Sequence, residues 1–228
     1  MESTRAHTDR VYESELVQLR QRLLQMAGHV ERALSRAVDA LVRRDAELAR
    51  NVISDDREVN RMEIEVDELC RRLLALRQPA ASDLRLITTA LKIVVDIERM
   101  GDLAVNLSQR VIELGDAPHL RPYVDLPKLA DLALEQLKLA LDAFVNADAD
   151  RAEAALKKDD VVDAFYFRVL NETVAFMMED TRHIRSGMSL MLVAKYLERF
   201  ADHAMNVAEM VIYMVRGTDV RHPHSRAP

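Results

Sequence analysis

The sequence predicts an all-α protein built as two tandem three-helix bundles related by an internal pseudo-twofold axis. Three observations carry that expectation. Glycine and proline are scarce, 5 and 6 in 228 residues, so few points exist where sheets could turn. Apolar residues recur at helical spacing through stretches of about thirty residues. Residues 98–107, ERMGDLAVNL, return one hundred residues later as residues 198–207, ERFADHAMNV. The matched pairs are Glu98/Glu198, Arg99/Arg199, Asp102/Asp202, Ala104/Ala204 and Asn106/Asn206. Two structural units follow from such a repeat, and its polar centre implies two chemically similar sites.

The first helix is expected from about Tyr12 to Arg43, with Leu16, Leu19, Leu23, Met26, Val30, Leu34 and Val38 along one face. A second runs from about Asp45 to Arg77, stopped by Pro79, and Ser82 is the expected N-cap of a third that ends near Gly115. The first unit is thus residues 9–115, and GDAPHLRPYVDLP marks a Pro-rich linker over 116–127. The second unit, 128–217, repeats the plan with helices at about 126–146, 149–180 and 183–216, closed by Gly217. Short connections make neighbouring helices antiparallel. The tail, 218–228, is expected to be loose.

Composition excludes several classes. A net charge of -6 with both signs interspersed lacks the basic stripe of a nucleic-acid binder. The single Cys70 rules out a disulfide framework and points to a reducing cytoplasm. Neither a secretory h-region nor a run long enough to span a bilayer is visible, so membrane contact is expected only through partners.

On a helical wheel, Leu84, Ile87, Leu91, Val94, Val95 and Val105 of the third helix share an arc of about 100°. Glu98 and Asp102 fall in the middle of it, one turn apart, with Arg99 well off their line. The second helix places Asp56, Asn60, Glu63 and Asp67 among Val59, Val66, Cys70 and Leu74. In the second unit Asp159 and Asp163 accompany Val162, Tyr166, Val169 and Met177, and Glu198 and Asp202 accompany Ile184, Met191 and Met205. Carboxylates pointing inward must be paired, protonated or bound to a cation. Converging carboxylates without thiolates suit a hard or borderline cation such as Mg²⁺, Mn²⁺ or iron. The bland reading is a salt-bridged helix face, with Arg99, Arg199, Arg85 and Arg185 as counter-ions. Gly101 and Ala201, at matching positions, are expected to permit close helix packing. The methionines of residues 176–178 and beyond read as core filler, and His203 as a surface histidine.

These residues resemble the PhoU family. LRLITTALKIVVDIERMGDLAVNL carries the resemblance in the first half, and DDVVD, MMEDTRHI and LMLVAKYLERFADHAMNVAEMVIYMVRG carry it in the second, with LALRQPAASDLR between. The resemblance implies multinuclear metal sites of E(D)xxxD pairs on each bundle. It maps them to Asp56/Asn60 with Glu98/Asp102, and to Asp159/Asp163 with Glu198/Asp202. Iron, Mn, Mg or Zn are the metals implied. Asn60 departs from the acidic pattern, with Glu63 and Asp67 beside it. The resemblance further implies a homodimer and a non-catalytic role: negative regulation of phosphate uptake and of phosphate-starvation signalling, through the transporter ATPase PstB and the sensor kinase PhoR.

Two other classes compete. DDVVD at 159–163 matches the DDxxD of all-α isoprenoid diphosphate synthases, but its counterpart in the other half is DREVN. A helical scaffold without a metal site is the other. No Glu-x-x-His of a di-iron bundle, no nucleophile beside a base and no glycine-rich phosphate loop occurs in the sequence, so no enzymatic activity is expected.

Overall fold

The computed structural model describes residues 2–115 and 125–220, with side chains from residue 11 onward. It contains α1 (Glu2–Arg43), α2 (Ala46–Leu76), α3 (Ala81–Leu114), α4 (Leu126–Asn146), α5 (Ala149–Leu156), α6 (Asp159–Glu179), a 3₁₀ turn (Thr181–His183) and α7 (Ile184–Arg216). No strand occurs among the described residues. The linker's 116–124 and the tail from 221 lie outside them, and α4 spans the helix expected at about 126–146, with Pro127 in its first turn. Proline suits that turn because its missing N–H would have no intrahelical partner.

Both units turn from their first helix into their second by the same device. Arg44 and Ala147 take positive φ of 58° and 49°, and the following Asp45 and Asp148 donate their amides back to the carbonyls of Ala40 and Ala143, each at 2.9 Å. Each aspartate then caps the next helix: Asp45 accepts from the amides of Glu47 and Leu48, and Asp148 from that of Arg151. The joints are 103 residues apart, which fixes the register between α1–α2 and α4–α6.

That register explains a departure from expectation. The helix expected over 149–180 is broken between Leu156 and Asp159. Gln136, fully buried on α4, stands where α1 carries Ala33, and its Nε2 donates to the Ala155 carbonyl at 3.3 Å. A side-chain amide inserted into the ladder diverts a helical carbonyl, and Lys157 and Lys158 relax to ψ near -15° and -16°. Alanine at the equivalent position cannot do this, and α2 runs unbroken. The start of α3 is also corrected: Ala80 occupies the N-cap without a side-chain bond and Ser82 lies inside the helix, because Pro79 ends the preceding segment and helical geometry resumes at once.

The two units share one core. α3 and α7 pack along each other, and α1 touches α4. Contacts of Arg85 with Met214, and of Asp96 with His203 and Asn206, show α3 and α7 to be antiparallel. An offset of 100 combined with these pairings places the pseudo-twofold axis between Met100 and Phe200, both fully buried.

Candidate functional site

The first unit brings Asp56 and Asn60 of α2 beside Glu98 and Asp102 of α3. Asn60 Nδ2 donates to Asp56 Oδ2 at 3.1 Å. Burial pushes the Asp56 carboxyl above the usual range, and Asp102 adds to the rise while the Asn60 bond opposes it. Glu98 is raised by burial, then by Asp102, Glu63 and Asp56, against Arg99. Asp67 is paired with Arg71. Arg99 corrects its expected placement: its guanidinium comes within 3.7 Å of Glu98 and 3.9 Å of Asp102, reaching the line it was expected to miss. These are loose ion pairs, longer than hydrogen bonds. The close packing expected at Gly101 is present, and what packs there is a member of the site. A Cβ at that position would meet Asp56 Oδ1 at 3.1 Å and Val59 Cγ1 at 3.3 Å.

The second unit assembles Asp159 and Asp163 of α6 with Glu198 and Asp202 of α7. Burial raises Asp159, and Asp163 contributes next. Asp202 is pushed up to about 6, first by burial and then by Glu198, Asp159 and Asp163, with Lys195 opposing. Lys195 Nζ stands 2.8 Å and 2.6 Å from the two oxygens of Glu198, and also lies over the Tyr166 ring. Its first-unit counterpart is Val95, so this built-in cation has no equivalent there. Arg199, expected as a counter-ion, forms no ion pair among the described residues, while Arg85 donates to the Met214 carbonyl at 3.1 Å instead of to an acid.

Wheel phase was only partly right. Leu84 and Val95 are exposed, and the buried stripe of α3 runs through Leu86, Ile93, Ile97, Met100 and Ala104. Glu98 and Asp102 therefore lie at the margin between core and solvent. A strongly apolar helix offers several near-equivalent arcs, and tertiary packing selects among them.

All eight residues thus fall into two open lanes, four to a lane. By donor type they fit a hard, oxygen-preferring cation. Burial, and after it mutual repulsion, lifts Asp56, Glu98, Asp159 and Asp202, and such a cation relieves the repulsive part. Among the described residues no three His, Cys, Asp or Glu side chains form a ready-made cage, so the fit is one of chemistry and field.

Sequence reasoning missed Asp96 and placed His203 wrongly. Asp96, only 9% exposed, accepts from His203 Nδ1 at 2.8 Å and Asn206 Nδ2 at 3.0 Å across the seam between the units. Burial of an acid that needs a partner is why this histidine is not at the surface. The available signal was Asp96 itself, a charge among Ile93, Val94 and Ile97 whose repeat counterpart is Tyr196. Beside the first lane lies a cavity of about 600 Å³, lined by Arg32, Arg36, Arg57 and Arg61 together with His29 and Asp56. Cys70 is buried, and its thiol is pushed up to about 12 by burial, so it is an unreactive core residue. No helix among the described residues is long and apolar enough to cross a membrane.

The model of the PhoU domain family matches residues 23–111 and again 126–211, once over each lane. The chain belongs to the PhoU family. Family relatives include a phosphate-specific transport system accessory protein PhoU homolog of Pseudomonas putida, 44% identical over 97% of this chain and 87% of that protein. The accessory protein PhoU of Escherichia coli strain K12 is 36% identical over 95% of this chain and 90% of its own length. The fold is that of PhoU crystal structures. That from Pseudomonas aeruginosa superposes with a TM-score of 0.84 at 44% identity, covering 91% of this chain and all of that one. The phosphate transport system regulatory protein PhoU from Streptococcus pneumoniae gives 0.85 at 31% identity, over 92% and 99%.

Proposed function

We propose that this protein is a non-enzymatic accessory regulator of phosphate transport whose two carboxylate lanes bind hard metal ions. Family membership along both units supports the regulatory part. The observation that carries the metal part is the convergence of Asp159 and Asp163 with Glu198 and Asp202, where burial and then the neighbouring acids lift Asp202 to about 6. Four carboxylates against one lysine leave negative charge that a divalent or trivalent ion such as iron, Mn, Mg or Zn neutralises. In the first lane Asp56, Glu98 and Asp102 supply charged oxygens and Asn60 a neutral one.

Regulation in this reading works by contact. The helical body presents its lanes to the transporter ATPase PstB and the sensor kinase PhoR on the cytoplasmic side, restraining uptake and starvation signalling when phosphate is plentiful. A ligand that binds the lanes differently in free and partner-bound protein changes partner affinity by that difference. The test combines elemental analysis with pull-downs. Untagged protein is expected to carry metal and to retain PstB and PhoR domains in a metal-dependent way. Equal, near-zero metal in the wild type and in Glu198→Ala/Asp202→Ala sinks the metal part. Failure to retain either partner, with or without metal, sinks the regulatory one.

A further inference from the structure

Met214 is buried in the core and Met210 packs against it, but two other methionines of α6 and α7 are not core filler. Met178 is 83% exposed and Met188 58% exposed, and Phe167, Val174 and Leu192 are open to solvent with them. Relative to the buried Val162, Val169 and Thr173, the phase of α6 puts Leu170, Val174 and Met178 on the flank that carries Asp159 and Asp163. On α7 the same holds for Met188 and Met191, in line with Glu198 and Asp202. The second lane therefore continues, toward the tip of the α6–α7 hairpin, as an apolar stripe.

The internal repeat shows that folding does not require this. With offsets of 103 for α2 to α6 and 100 for α3 to α7, Leu170, Val174, Met178, Met188 and Leu192 stand where the first unit has Asp67, Arg71, Ala75, Thr88 and Lys92. Arg71, Ala75 and Lys92 are exposed in their own unit, so the backbone places these positions outward in both. Phe167 and Ile184 match the apolar Ile64 and Leu84; the difference lies at the other five. A contiguous exposed apolar surface at positions that a homologous unit keeps polar or small marks an interaction site.

We propose that the open face of the α6–α7 hairpin docks one amphipathic helix of a partner protein, with apolar residues at i, i+3 and i+7 and a basic turn at one end. Val174, Met178, Met188 and Leu192 receive the apolar residues, with the half-buried Leu170 behind them, and methionine's flexible thioether shapes itself to the helix. In the metal-free protein the basic turn is selected by charge. At the foot of the stripe Asp159, Asp163, Glu198 and Asp202 come together with Lys195, which is already paired with Glu198. The inference rests on the adaptor reading only for which protein supplies the helix.

The test uses the full chain in metal-free buffer, so it does not depend on PstB, PhoR or metal. The probe is a labelled synthetic peptide of about 18 residues with leucines at i, i+3, i+7 and i+10 and a Lys/Arg turn at one end, against a scrambled control. Saturable binding by fluorescence anisotropy is expected for the ordered peptide alone. Met178→Asp/Met188→Asp is expected to weaken it by about tenfold or more. Ala75→Asp/Thr88→Asp, at the same positions of the first unit, is expected to change it less than about twofold. Circular dichroism checks that both variants remain folded. Absence of saturable binding, or equal loss in the two variants, overturns the proposal. So does a wild-type dimer in sedimentation that Met178→Asp/Met188→Asp dissolves, since the occupant is then a second copy.

Discussion

The two lanes share a backbone plan and differ in how their charge is balanced. The first replaces an acid by Asn60, holds Arg99 loosely at 3.7 Å and 3.9 Å from its acids, and packs Asp56 against Gly101. The second keeps all four acids, pairs one closely with Lys195, and carries Ala201 where the first has glycine. Duplication has conserved the positions of the oxygens more closely than the net charge around them. The second lane holds the larger unbalanced negative charge, and there a carboxyl is lifted to about 6.

The largest effect should come from removing oxygens. Glu198→Ala/Asp202→Ala is expected to lower metal affinity by more than about 100-fold, beyond what loss of an outer-shell partner causes. Glu98→Ala/Asp102→Ala is expected to lower bound metal less. Calorimetric titration with Mn²⁺ measures both, and a first lane that binds more tightly reverses the ranking. Asn60→Asp sharpens the same comparison by bringing the first lane's affinity toward the second's.

Next comes the seam. Asp96→Asn exchanges a charged double acceptor for an amide facing two donors, and is expected to cost about 1–3 kcal/mol in denaturant unfolding. The equivalent position on the other side is Tyr196, so no matching loss is expected there. A destabilisation under about 0.5 kcal/mol would show that the bonds to His203 and Asn206 contribute little.

The pH dependence follows from the raised carboxyls. An unfolded aspartate titrates near about 4. Folded Asp202 titrates at about 6, so between those values the native state binds more protons than the unfolded one. Stability of metal-free protein should therefore be highest at the low end of that window and decline as pH rises through about 6. Asp56, Glu98 and Asp159 are displaced in the same direction. Melting temperatures in chelator should show the decline, flattened in Asp202→Asn. A rise of stability with pH across that window would contradict the charge picture.

The smallest effect is expected from Gly101→Ala, which copies Ala201 into the first unit. The gain of up to about 1 kcal/mol in helix propensity is offset by the approach to Asp56 and Val59, so melting should shift by only a few degrees. Asp56 must move, and metal at the first lane should fall measurably. Unchanged metal would mean that Asp56 is not a ligand.

How much of this was visible in the sequence varies by kind of feature. The repeat gave the two-unit helical fold, which depends on periodicity and spacing, whereas the eight lane residues were singled out as pairs by the family resemblance. The break in α6 was hidden because it depends on Gln136 reaching across from another helix to the Ala155 carbonyl. Asp96 and His203 meet only when the units fold together, being 107 residues apart. Burial of Leu84, Val95 and Met178 was misjudged for a related reason: a wheel shows which residues share a face, and only packing decides which face is covered.

The α3–α7 seam, with its axis between Met100 and Phe200, has the geometry of a dimer interface closed within one chain. Dilution cannot separate the two units, and their ratio is one to one at any concentration. In a true homodimer every substitution appears on both sides, so a face cannot become apolar without its twin doing the same. Covalent fusion removes that constraint. It lets one unit stay polar at Arg71, Thr88 and Lys92 while the other is apolar at Val174, Met188 and Leu192, and it holds two unlike surfaces on a single body.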